Sequence, residues 1–390
     1  MPDAILVLNA GSSSIKYAVY ERGEAAELTL RLHGHVEGLG GEPRLYVDDL
    51  HRSQDYRALG AGAGHEAALA AVLEAVDSQL GGLRLVGAGH RIVHGGAGYS
   101  EPVVIDEAVL DELHGLEHLA PLHQPHNLAA VEAVRSVAPH LPQVACFDTA
   151  FHRTQPAVAQ RFALPRAYEQ RGVQRYGFHG LSYEYIAGRL PAYDRDAAAG
   201  RTIVAHLGAG ASLCALRNGQ SVDTTMGFTA LDGLPMGRRC GSLDPGVVLH
   251  MLREAGASVD GVEQMLYHDA GLLGVSGISS DMRVLLDSDA PEAAEAVALF
   301  CYRAIREIGA LTAALGGLDA LVFTAGIGEN AAPVRRRIAE GLGWLGLALD
   351  PAANEAHGPR ISADDSPLAA WVIPTDEERV IAAHTARRLA

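Results

Sequence analysis

The pattern that most constrains this chain is one that occurs twice. Ala4 to Leu8 reads as a buried strand, Asn9-Ala-Gly-Ser-Ser-Ser14 as a small polar turn, and Ile15 to Tyr20 as the return strand. Half a chain later, Thr202 to His206 is a strand, Leu207-Gly-Ala-Gly-Ala211 a glycine turn, and Ser212 to Leu216 its return. Gly11 and Gly210 lie 199 residues apart in a chain of 390. Two such hairpins opening the two halves predict duplicated domains facing each other, with a ligand in the cleft between them. Turns of this composition offer backbone N–H and hydroxyl groups to an anion.

A third loop has another character. Leu318 to Phe323 reads as a strand, Thr324-Ala-Gly-Ile-Gly-Glu-Asn330 as a glycine turn, and Ala331 to Leu342 as a helix. A strand, a glycine loop and a helix can set a nucleotide against backbone amides and a helix N-terminus. The loop lacks the Gly-Lys-Ser/Thr of a Walker motif and the G-x-G-x-x-G of a dinucleotide fold. Three- and four-residue apolar spacing predicts helices over His65 to Leu80, Asp106 to Leu119 and Asn127 to Ala138. Asp244-Pro245 opens another helix, which Gly256 closes, and Pro291 to Leu315 is a long, mostly apolar one. Glu377 to Leu389 closes the chain, with Thr375 and Glu378 at capping-box spacing and Glu377 left without a structural task. Strands alternate with helices throughout, which predicts an α/β class with mixed sheets.

Charge narrows the ligand. The formal net charge is −16, from 31 basic and 47 acidic residues, so nucleic acid and anionic membranes are disfavoured as partners. An anionic ligand then requires locally concentrated cations. Lys16 is the single lysine among the 31 basic residues, and it stands beside the first polar turn. A compact ammonium and a guanidinium are not interchangeable, so this position is a candidate for a contact that arginine cannot serve. The four cysteines, 146, 214, 240 and 301, show neither metal-ligand nor redox spacing, which predicts a reducing, cytoplasmic compartment. The apolar run from Ala4 is too short for a signal peptide, and no segment approaches a membrane span.

Several segments set polar side chains between glycines. They are Gly87-Ala-Gly-His-Arg91-Ile-Val-His94-Gly-Gly96, Phe147-Asp148-Thr-Ala-Phe-His152, Tyr176-Gly-Phe-His179-Gly180 ahead of a helix that Ser182 could cap, and Met236-Gly-Arg238-Arg239-Cys-Gly241. Glycine there lets a ligand or another backbone approach closely. Two arginines, a histidine, an aspartate and a lysine suit phosphoryl transfer, because the moving group spreads negative charge over three oxygens. Acidic residues would hold Mg²⁺, which needs only one or two protein carboxylates. Taken singly, an arginine such as Arg91 is more often a surface or interdomain ion-pair partner, a histidine such as His179 is more often structural, and Asp148 could cap the following turn. His123 and His126, without an acidic or thiol ligand at suitable spacing, read as part of a structural loop.

Together the motifs resemble the acetate kinase family. They are Val7-Leu-Asn-Ala-Gly-Ser-Ser-Ser-Ile-Lys16, Gly89-His-Arg-Ile-Val-His-Gly-Gly96, Phe147-Asp-Thr-Ala-Phe-His152, Gly177-Phe-His-Gly180, Asp223-Thr-Thr-Met-Gly-Phe228, Gly326-Ile-Gly-Glu-Asn330 and Thr375-Asp-Glu-Glu378. The resemblance runs over essentially the whole chain. It implies two duplicated actin-like ATPase (ribonuclease H-like) domains around a central cleft, a cytoplasmic homodimer, and transfer of the ATP γ-phosphoryl group to acetate with Mg²⁺ or Mn²⁺. It further implies that Asn9 and Glu377 lie at the metal, and that Lys16 and the His206-Leu207-Gly208-Ala209-Gly210 turn meet ATP phosphates. Asp281-Met282-Arg283 and Gly326-Ile327-Gly328-Glu329-Asn330 would hold adenosine. Arg91 would bind the acetate carboxylate with Arg239 beside it, and Val93, Leu122, Phe178 and Ala230 would line the acyl pocket. Asp148, His179 and Arg239 would be catalytic.

Three positions depart from the family pattern: Ala209 for an Asn, Arg238-Arg-Cys-Gly-Ser242 for Thr-Arg-Ser-Gly-Asp, and Ala230 for a Pro. These bear on substrate choice and rate. Expected domains are 1–149 with 377–390, and 150–376. Two alternatives stand beside the acetate reading: a kinase preferring propionate or butyrate, and an actin-like nucleotide-binding protein whose output is conformational.

Overall fold

The computed structural model describes residues 1–11, 14–23, 27–48, 55–253 and 256–390, so Ser12 and Ser13 of the first turn lie outside the described residues. It divides into two compact units, Met1–Phe151 with Asp376–Ala390, and His152–Thr375.

The first unit holds an eight-stranded sheet. Its strands are β1 Asp3–Ala10, β2 Ser14–Arg22, β3 Leu28–Glu37, β4 Arg44–Asp48, β5 Asp55–Ala58, β6 Arg84–Ile92, β7 Val103–Val104 and β8 Gln143–Phe147, in the order β5-β4-β3-β2-β1-β6-β8-β7. The β1–β2 hairpin is antiparallel, with Asn9 opposite Lys16, while β6 runs parallel to β1 and to β8. The middle of β1 is buried without alternation, as a strand covered on both faces must be. One face carries Leu6, Leu8 and Ala88 against Val72, Val76, Ala130 and Val134 of the His65–Gln79 and Gln124–Val137 helices. The other face receives the C-terminal Glu377–Arg388 helix.

Glycine makes that second contact. A Cβ on Gly89 would lie 2.6 Å from Ile381 Cγ2 and clash with Thr385, and one on Gly87 would clash with Leu389. These two glycines admit a helix rather than a ligand. Asp376 caps this helix by accepting from the Arg379 amide, so the expected Thr375/Glu378 box gives way to a cap one residue later.

The second unit holds five strands, β9 Arg201–Leu207, β10 Ala211–Arg217, β11 Gln220–Thr224, β12 Ala320–Thr324 and β13 Ala369–Val372, in the order β11-β10-β9-β12-β13. Strands β9, β10 and β11 form an antiparallel meander, and β12 runs parallel to β9 and β13. In the first unit β3-β2-β1-β6-β8 has the same arrangement, so the repeated hairpins mark a repeated sheet. The Pro291–Leu315 helix buries Phe300, Ala304, Ile308 and Leu311 and packs on β10 and β9. Among the described residues, no helix is long and apolar enough to cross a membrane.

Candidate active site

In the first unit the polar residues gather at the ends of parallel strands, where open α/β sheets place ligands. Arg91 is the next-to-last residue of β6 and Asp148 follows β8. Arg91 donates from Nε (3.1 Å) and Nη2 (2.5 Å) to the Asp148 carboxylate, and from Nη1 to Asn9 Oδ1 at 3.2 Å. Asp148 is 1% exposed. A guanidinium has five N–H donors, so one on Nη1 and one on Nη2 remain to face a carboxylate or phosphate edge. Burial would lower the Arg91 pKa, but Asp148 more than offsets it and holds the group above its ordinary value. Glu377, in the first turn of the last helix, belongs to the same cluster. Burial pushes its carboxyl up to about 7; Arg91 opposes this, Asp148 and Glu378 add to it, and Lys16 opposes it. Lys16 itself is exposed on β2.

Two amides brace this cluster. Asn127 accepts from the Val93 amide and donates to the Ala10 carbonyl, and Gln124 accepts from the His94 amide and donates to its carbonyl. The segment expected as a loop around His123 and His126 therefore begins a helix at Gln124, and His126 stacks on His65 at 4.3 Å. Among the described residues, no three His, Cys, Asp or Glu side chains are grouped to hold a metal.

In the second unit His179 sits at the N-cap of the Gly180–Arg189 helix with φ +59°, a left-handed conformation that costs a non-glycine residue about 1–3 kcal/mol. Gly177, at φ +77°, packs on the His152 ring, which donates from Nε2 to the Phe178 carbonyl at 2.9 Å. The strained bend is thus held by a buried imidazole whose pKa burial lowers to about 4. His179 stacks on His206 at 4.1 Å, and its Nδ1 meets Ser212 Oγ at 2.8 Å. Ser182, expected as the cap, instead lies buried against His206 Nδ1 and Thr375. A Cβ on Gly210 would find His179 Nε2 at 3.3 Å and Arg239 Nη2 at 3.7 Å, so both groups converge on the β9–β10 turn. Arg239 is anchored by donating to the Ala230 carbonyl at 2.8 Å.

Beside that turn opens a cavity of about 1050 Å³, lined by Gly208, Ala209, Asp281, Met282, Arg283, Gly326, Ile327 and Asn330 among the expected residues. Ser280, Leu286, Asp287, Ala331, Pro333 and Arg337 complete it and had no sequence signal beyond the run of three arginines at 335–337. Six expected nucleotide contacts fall outside this lining: Lys16, His206, Leu207, Gly210, Gly328 and Glu329. His206 and Leu207 are buried behind the turn. The Gly326–Asn330 segment is a helical turn, not an open loop. Buried Arg335 bonds the Gly328 and Glu329 carbonyls, and the Glu329 carboxylate accepts from the Ala325 and Thr375 amides. Of the expected acyl pocket, Val93 and Leu122 belong to the first unit and Phe178 and Ala230 to the second; Val93 and Phe178 are buried, Leu122 and Ala230 partly so.

The geometry is that of a phosphoryl-transfer enzyme on a duplicated α/β sheet, and comparison with known proteins agrees. The sequence profile of the acetokinase family matches residues 4–383. An acetate kinase of Rhodopseudomonas palustris is 54% identical over 392 residues, covering 99% of this chain and 98% of that protein. Among solved structures, a propionate kinase of Francisella tularensis superposes with a TM-score of 0.92 at 33% identity, covering 99% of each chain. An acetate kinase of Porphyromonas gingivalis superposes with a TM-score of 0.89 at 35% identity over the whole of both chains. The chain is an enzyme, a carboxylate kinase with the duplicated actin-like fold. It belongs to the acetokinase family.

Proposed function

We propose that this enzyme transfers the γ-phosphoryl group of ATP to acetate, giving acetyl phosphate and ADP. The observation that carries the proposal is the convergence of His179 Nε2 and Arg239 Nη2 on Gly210, beside a cavity large enough for a nucleotide. Donors so placed stabilise the charge that spreads over the equatorial oxygens in the transition state. A carboxylate oxygen forms the new P–O bond as the bond from γ-phosphorus to the β,γ-bridging oxygen breaks, and the electron pair leaves with ADP. The nucleophile is already ionised, so no general base is needed. Arg91 presents its two remaining N–H groups to the acetate carboxylate, and Asp148 orients that guanidinium rather than accepting a proton.

The oxygen donors of Glu377 and Asn9 suit a hard cation such as Mg²⁺ or Mn²⁺. When bound, such an ion neutralises phosphate charge. Lys16 and the Ala209 and Gly210 amides would meet phosphates, the Gly208 amide being held by the Gly210 carbonyl at 3.0 Å, and Asp281–Arg283 with Gly326, Ile327 and Asn330 would flank adenosine. For the acyl group the family resemblance points to Val93 and Leu122 in the first unit and to Phe178 and Ala230 in the second. The family resemblance supports a cytoplasmic homodimer. Ala230 favours a second reading in which propionate is accepted nearly as well. Incubation with ATP, Mg²⁺ and acetate, trapping acyl phosphate as the hydroxamate, tests the proposal. Acetohydroxamate that disappears with EDTA is expected, and none under any metal would refute it.

A further inference from the structure

Ser212 and His206 stand directly opposite each other across the β9–β10 hairpin, and both engage one face of the helix that His179 caps. His179 at the N-cap and Tyr183 within the helix both reach one hydroxyl, that of Ser212. Ser212 Oγ lies 2.8 Å from His179 Nδ1 and 2.5 Å from Tyr183 Oη. Ser212 and Tyr183 are fully buried.

The single proton of each hydroxyl fixes the direction of this chain. Burial raises the Tyr183 pKa well above its ordinary value, so the phenol keeps its proton, and Ser212 Oγ is the acceptor within reach. Were Ser212 to donate to Tyr183 instead, the buried phenolic O–H would lose this acceptor, which is costly for a donor shut off from water. Tyr183 therefore donates to Ser212, and Ser212 donates to His179 Nδ1. An imidazole that accepts at Nδ1 carries its proton on Nε2, the atom aimed at the Gly210 turn.

We propose that Tyr183 and Ser212 are positioning residues that lock His179 in its Nε2–H tautomer, so that it presents a hydrogen-bond donor, not an acceptor, to the phosphoryl oxygens. The inference rests on the phosphoryl-transfer reading for its purpose, but not for its tautomer. In the opposite tautomer an imidazole lone pair would face those oxygens, and like partial charges would repel.

The test is ¹⁵N NMR of imidazole-labelled full-length protein at pH 8, with His179 assigned by its loss in His179→Asn. Wild type should show a protonated Nε2 and an unprotonated Nδ1. Tyr183→Phe frees Ser212 to accept, so Nδ1–H should become populated. Ser212→Ala should do the same and lower kcat roughly 10- to 100-fold, the range typical of lost orienting hydrogen bonds, with KM values within about twofold. Ser212→Thr should restore both. If Ser212→Ala does not fold, wild type and Tyr183→Phe still decide. An Nδ1–H tautomer in wild type, or an unchanged spectrum and kcat in Tyr183→Phe, would overturn the proposal. Absence of acetate turnover in wild type would sink the functional reading instead and leave the tautomer result standing.

Discussion

Replacing Glu377 by glutamine should make the first unit more stable at pH 8 while abolishing phosphoryl transfer. The carboxyl is pushed from an ordinary 4.5 up to about 7, chiefly by burial, with Asp148 and Glu378 adding repulsion. Between these two values the unfolded chain releases a proton that the folded chain keeps. The folded state then binds more protons, so stability falls as pH rises through that window and levels off above it. The stabilisation that the wild type loses across this window is on the order of a few kcal/mol, reduced by solvent screening because the Glu377 side chain is only half-buried. Glutamine has nearly the same shape and no charge to desolvate. Hydrogen exchange of the β6 amides, in chelator from pH 5 to 8, reads the local stability of this unit. The variant should match wild type near pH 5, gain on it as pH rises, and hold a lead on the order of a few kcal/mol at pH 8. Adding Mg²⁺ should then stabilise wild type alone. Parallel pH curves, or a variant that loses ground as pH rises, would refute the assignment of a half-buried, charge-strained carboxyl to this position.

Gly89→Ala should cost about 1–3 kcal/mol, because its methyl meets Ile381 and Thr385, and should lower activity by shifting the helix that carries Glu377. Gly98→Ala, with open space around it, is the control, and equal melting temperatures in the two would contradict the packing argument. Arg335→Met leaves the Gly328, Glu329 and Asn354 carbonyls without their buried donor and should cost about 3 kcal/mol or more while raising KM for ATP; a wild-type melting temperature would contradict it. Ala230→Pro should shift kcat/KM toward acetate over propionate by the worth of one methylene, ~0.8 kcal/mol or about fourfold; an unchanged ratio in the two proteins would show that position 230 does not reach the acyl group.

The strand–turn–strand repeats, the long apolar helix and the polar motifs were legible because each is written in neighbouring residues. Glycines and alternating or unbroken apolar runs declare a hairpin wherever it folds. Strands β3, β4 and β5, at one side of the first sheet, went unread because they carry no motif and β3 breaks its buried positions with half-buried or exposed ones. The meaning of Gly87 and Gly89 was open in the sequence, since a close approach leaves the same blank whether the partner is a ligand or a helix nearly 300 residues away. The same holds for Glu329 and Arg335. A carboxylate in a glycine loop reads as a ligand contact until the fold brings the Ala325 and Thr375 amides to it. An arginine in a run of three reads as surface until it is found beneath the turn it braces. Tautomers lie furthest from the sequence: the proton on His179 is set by a serine and a tyrosine that only the docking of a helix on a hairpin brings together. Local pattern therefore decided which elements and chemical groups exist, and packing between distant segments decided which of those groups face a ligand and in what protonation state.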